Sequence, residues 1–149
     1  MLLLSVLACA PPPLPETDDT PSISITWPLP ETEIQGCTTV AVDVENFEFV
    51  DFNVTAAPAD GQGHWHVFHP AGYAASWAPF QFVDWSTVKE TTEPYITVKL
   101  ANNDHSDYLD DAGQPITASI PFTFVPGPCE LTGDSDTSEY DTGDTGGGG

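Results

Sequence analysis

The chain has 149 residues, 40% of them hydrophobic and 11% aromatic, which is enough for one domain with a modest core. Its 23 acidic side chains face only two basic ones, Lys89 and Lys99, for a formal net charge of -21. A surface of that sign repels phosphate, which excludes nucleic acid as a partner and argues against electrostatic docking on anionic lipid.

The N-terminal residues 1–8 are apolar, and residues 9–21 form a Pro-rich, acidic segment with nothing to bury. Val6-Leu7-Ala8-Cys9 resembles the lipobox of bacterial lipoproteins, with an aliphatic residue three before the cysteine and a small one just before it. The resemblance implies that Cys9 is lipidated and that residues 9–21 tether a domain to a membrane. It also implies an exported, envelope-anchored protein. Ala10 follows Cys9 where an Asp commonly retains such proteins in the inner membrane, so the outer membrane is favoured. The pattern departs from the family in one respect: no Lys or Arg precedes the apolar run, which is also short. With Cys9 assigned to lipid, Cys37 and Cys129 are left to bracket the folded region, and outside the cytoplasm they are expected to form a disulfide.

Polar and apolar residues alternate from Ser22 to Trp27, the period of a strand, and Pro28 and Pro30 end it. Alternation resumes over Thr38 to Glu45, with Val40, Val42 and Val44 on one face. The phase then slips, since Phe47 and Phe49 keep one parity while Val50, Phe52 and Val54 take the other. A bulge or tight turn near Asn46 or Phe49 is expected. His64 to His69 reads as a strand, and residues 70–79, rich in Ala, Gly and aromatics, read as irregular. Pro94 opens the clearest strand, with Ile96, Val98 and Leu100 inward and Thr97 and Lys99 outward. Residues 102–113 form a polar, acidic loop. The last alternation places Ile116, Ala118, Ile120, Phe122 and Phe124 together, and Pro121 marks it as an edge strand.

No segment carries a sustained helical period. Short strands spaced about ten residues apart, punctuated by Pro and Gly, predict an all-β, antiparallel immunoglobulin-like β-sandwich of about seven strands over residues 22–129. Residues 130–149 are Gly, Asp, Ser and Thr with little else, a composition expected to be disordered.

Chemistry concentrates in two places. Gly63-His64-Trp65-His66-Val67-Phe68-His69 holds three of the four histidines, and Asn102-Asn103-Asp104-His105-Ser106 holds the fourth. Strand period places His64 and His66 on one face, about 6–7 Å apart along the chain, and His69 on the other. If the strands at 64–69 and 94–100 pair antiparallel, Asp104 and His105 arrive beside His64. His64, His66, Asp104 and His105 would then supply a ligand set suited to zinc or copper. The same residues allow a structural reading. Trp65 and Val67 would face the core, the histidines would face outward, and the Asn-Asp-His-Ser loop would be held by local hydrogen bonds.

The Gly-His-x-His strand and the later Leu100-Ala101-Asn102-Asn103-Asp104-His105 segment are similar to those of a group of uncharacterised bacterial exported β-sandwich domains. The resemblance implies the fold and a shared His/Asp cluster, and no reaction.

Other candidates are thinner. Asp104, Asp107, Asp110 and Asp111 lack the Asp-x-Asp-x-Asp-Gly spacing of a calcium loop. Trp27, Trp65, Trp77, Trp85 and Tyr73 could form a sugar platform but suit core packing. Asn53-Val54-Thr55 is a glycosylation sequon without meaning on a bacterial chain. There is no Gly-x-Ser-x-Gly elbow, no Cys beside a His and no phosphate-cradling loop, so no catalytic residues are assigned and the chain is not expected to be an enzyme. The expected function is a membrane-anchored binding module that holds zinc or copper. The alternative is a structural or adhesive lipoprotein domain whose histidines brace loops.

Overall fold

A computed structural model describes residues 19–54 and 57–130. The apolar N-terminal segment, Cys9, most of the tether and residues 131–149 lie outside that range. Ten strand segments and no helix occur among the described residues: β1 (Ser22–Trp27), β2 (Glu33–Gln35), β3 (Cys37–Glu45), β4 (Glu48–Phe49), β5 (Gln62–His69), β6 (Gly72–Ser76), β7 (Phe80–Asp84), β8 (Tyr95–Ala101), β9 (Thr117–Pro121) and β10 (Thr123–Val125).

One sheet runs β1-β3-β7, antiparallel throughout. The other is built on β5, which pairs antiparallel with β8 along one edge; β8 pairs with β9 in turn. Along the other edge of β5, β6 pairs with Trp65–His69 and β4 with Gln62 and Gly63. The alternating residues of both sheets meet in one core: Ile23, Val40, Val42 and Val83 from the first, Trp65, Val67, Ile96, Val98 and Leu100 from the second. This is an all-β fold with a sandwich-like core, each buried side chain contributing roughly 1.5–3 kcal/mol.

Several boundaries differ from the sequence reading, each for a local reason. Asn46 adopts φ 53°, a left-handed turn that ends β3 and re-aims the chain into β4, and this is the phase slip seen in the sequence. Residues 72–76 form a strand instead of an irregular loop, because a turn at Pro70-Ala71 folds them back onto β5. The stretch expected as one last strand divides in two. The N–H of Phe122 donates to Pro94 O, and from Thr123 onward the chain leaves β8 to run parallel with β2. Pro121 closes β9, which pairs only with β8 among the described strands, as an edge strand should.

The Cys37–Cys129 disulfide is present, with Cα atoms 5.0 Å apart, and ties the start of β3 to the end of the described chain. Closing a loop of 92 residues contributes up to about 4–5 kcal/mol in the chain-entropy picture.

Candidate metal centre

The β5–β8 register sets the site. Trp65 lies opposite Leu100 and Val67 opposite Val98, on the core face. His64 lies opposite Ala101, His66 opposite Lys99 and Phe68 opposite Thr97, on the outer face, where β6 adds Tyr73 and Ala75. Gly63 permits this pairing. A side-chain carbon there would run into the carbonyl of Ala101 and the ring of Phe47, so only glycine lets β5 approach the end of β8 immediately before His64.

The outer face is nevertheless not open at the histidines. His64 is 0% and His66 8% exposed. Two loops cover them. The segment after β4 lays Phe52 over His64 and His105, with ring centroids 4.4 and 4.8 Å away, and Trp77 packs edge-on to Phe52. The loop after β8 delivers His105. There the N–H of His105 donates to Asn102 O, and His105 takes φ 67°, a left-handed conformation uncommon outside glycine. Such a conformation costs on the order of 1–2 kcal/mol and turns the ring back over the sheet.

Three ring nitrogens converge. His64 Nε2 is 2.9 Å from His66 Nε2 and 3.0 Å from His105 Nδ1, and His66 Nε2 is 3.2 Å from His105 Nδ1. Hydrogen bonds cannot satisfy this triangle. One inward proton can be shared with the other nitrogens but leaves two lone pairs facing each other, and two inward protons collide. A metal ion satisfies all three lone pairs. At about 2.0–2.1 Å from each nitrogen it would see them about 87–106° apart, within the range of a three-coordinate facial cap. The three histidines can therefore hold a metal ion.

The His64 ring is neutral at pH 7. Burial, reinforced by the neighbouring His66 and His105, pushes the His64 pKa down to about 4. Burial also lowers that of His66, with help from His105 and Lys99 and against Asp107. His64 Nδ1 is buried without a hydrogen-bond partner among the described residues, where a metal-bound imidazole more often donates to a carbonyl or carboxylate.

Of the four residues expected to gather, the structure brings three together. Asp104 stands apart from them. Its Oδ1 accepts from the N–H (3.0 Å) and the hydroxyl (2.6 Å) of Ser106, so its carboxylate closes the loop instead of joining the cluster. That is why a neighbour in sequence of a ligand need not be a ligand: at the left-handed turn the side chains of residues 104 and 105 diverge. His69 lies on the core face against Trp85, ring centroids 5.9 Å apart, as strand period requires. Three further residues shape the site without a sequence signal of their own. Phe52 covers it, Tyr73 packs 5.6 Å from the His66 ring, and Tyr108 pins the chain leading into β5 by donating to Asp60 Oδ1 and accepting from Gly61 N–H, both at 2.8 Å. Two other acidic residues of the loop are occupied: Asp107 pairs with Lys99 at 2.5 Å, and Asp110 Oδ1 accepts from Ala112 and Gln114 N–H.

Fold and site together define an all-β, disulfide-closed domain in which two buried histidines and the exposed His105 form a cluster capable of binding a metal. No protein-family model, curated protein or solved structure matches the chain.

Proposed function

We propose that this protein is a cell-envelope binding module that holds zinc or copper through His64, His66 and His105. The observation that carries the reading is the nitrogen triangle of 2.9, 3.0 and 3.2 Å, which a metal satisfies and protons do not. Imidazole suits both metals, and no thiolate is near to select between them, because Cys37 and Cys129 are bonded to each other. The disulfide supports an oxidising location. It also leaves Cys9 as the unpaired cysteine, in keeping with a lipid anchor at that residue and, after it, a spacer that holds the domain off the outer membrane.

The alternative reading, in which the histidines brace two loops, has less support. The loop after β8 holds itself: Asn102 donates through Nδ2 to Ser106 Oγ and Asp107 O, and Asp104 accepts from Ser106. Asn103 Nδ2 separately ties the loop to Ala57 O. None of these contacts needs the His105 ring.

Calorimetric titration of the full chain with Zn²⁺ and with Cu²⁺ at pH 7 tests the proposal. One equivalent should bind with a dissociation constant of micromolar or below, and His105→Ala should weaken binding at least tenfold. Absence of binding heat with both metals, at two temperatures, would overturn it.

A further inference from the structure

The three histidines cap one side of the ion, and we propose that its open side takes a small anion, with Lys99 as the counter-charge. This rests on the metal reading above. With nitrogens 2.9–3.2 Å apart, an ion about 2.0–2.1 Å from each stands roughly 1 Å out of their plane, leaving the hemisphere beyond it free. Among the described residues no fourth His, Cys, Asp or Glu joins the group. A cleft of about 370 Å³ lined by His66, Phe68, Tyr73 and His105 reaches the cluster from solvent.

Charge decides what enters. The chain has two basic side chains in all, and one of them stands here. Lys99 lies across from His66 in the strand register, and its ammonium sits 5.4 Å from the centroid of the Phe68 ring that lines the cleft. The pair it makes with Asp107 holds it there: the lysine is 22% exposed and the aspartate 41%. Asp107 offsets the charge of this ammonium, so it is the divalent ion that makes the spot net cationic on a chain of net charge -21. A metal-bound oxygen or nitrogen donor carrying one negative charge, such as a small carboxylate, fits this combination, whereas a cation or a neutral amine gains nothing from Lys99.

Full-length protein loaded with Co²⁺ provides the test, with azide as the probe anion. The first readout is cobalt bound per chain and its visible d–d spectrum. Failure to load one equivalent overturns the metal reading itself, and this inference with it. In the loaded protein, azide should change the d–d bands along a saturable one-to-one curve. Loaded cobalt whose spectrum is indifferent to azide overturns the open position alone. Lys99→Met and Lys99→Gln should keep their cobalt and weaken azide binding about two- to fivefold, the scale of one partly exposed charge pair, and Lys99→Arg should restore it. Unchanged azide affinity in Lys99→Met and Lys99→Gln overturns the role of Lys99.

Discussion

From Gly63 to Val67 strand β5 is buried on both faces, and the two faces are buried in different ways. Trp65 and Val67 are 0% exposed against Leu100, Val98 and the rest of an apolar core. His64 is equally buried, yet it faces two other imidazoles and leaves Nδ1 without a partner among the described residues. Burial on the first face lowers the free energy of folding through removal of apolar surface from water. On the second face burial costs free energy, because imidazole nitrogens lose water and gain no complete set of hydrogen bonds. A domain that covers such a face with Phe52 and a left-handed His105 is holding a site in place at the expense of stability.

The largest effect separates the faces outright. Trp65→Ala removes the biggest core side chain of β5 and should destabilise the protein by about 3–5 kcal/mol. His64→Leu, at the neighbouring position on the other face, should leave the metal-free protein as stable or more so at pH 7. Chemical denaturation of both variants in the presence of a chelator checks this. A loss of several kcal/mol in His64→Leu would mean that the histidine face is structural after all.

Acid should strike the histidine face hardest. Folded His64 stays neutral to about pH 4, while an unfolded histidine takes up its proton near 6.5. Between those values the unfolded chain binds more protons, so stability rises with pH. The contribution is fully present above about pH 6.5 and is lost as the pH falls toward 4, by up to about 3 kcal/mol for His64. His66 and His69 shift the same way and add to the slope. Asp84 and Asp104 have lowered pKa values, so their loss comes at lower pH, as their carboxylates protonate. Denaturation midpoints of the metal-free protein from pH 7.5 to 4 should show the decline, and His64→Leu should flatten it.

Metal should reverse the sign of the histidine face. At one hundred times its dissociation constant, Zn²⁺ or Cu²⁺ binding only to the folded chain raises stability by about 2.7 kcal/mol. Thermal melts with and without metal should show the increase in the natural chain and none in His64→Leu. Trp65→Ala, where it still folds, should keep its metal response.

The same contrast explains what the sequence could disclose. The core face is periodic, so Val40, Val42, Ile96, Val98 and Leu100 identify themselves by alternation, and strand pairing follows from hydrophobic fit. His64 and His66 share a face for the same reason, and antiparallel pairing of β5 with β8 brings the loop after residue 101 to them. The cover over the site has no period. Phe52 lies in a turn, Tyr73 in a strand concealed by Gly and Ala, and the two loops that enclose the histidines are positioned by Asn46 and His105 at left-handed φ. Parallel pairings such as β2 with β10 join segments of three residues, too short to show alternation.

The smallest effect is the most exacting, because it falls on two adjacent residues. Asp104 and His105 stand side by side in the sequence, yet one serves the loop and the other the cluster. Asp104→Ala removes the acceptor for Ser106 N–H and hydroxyl and should lower stability only slightly, since both bonds are exposed to water. Because the turn keeps its Asn102 contacts, His105 should still reach His64 and His66, and affinity for zinc or copper should change by no more than a few-fold. His105→Ala should do the opposite: it relieves a left-handed side chain only in part, barely alters metal-free stability, and removes one of three ligands. Titrating both variants with the same metal reads the difference directly. A tenfold or greater loss in Asp104→Ala would place that carboxylate in the metal's coordination, and the boundary drawn between the loop and the cluster would have to move by one residue.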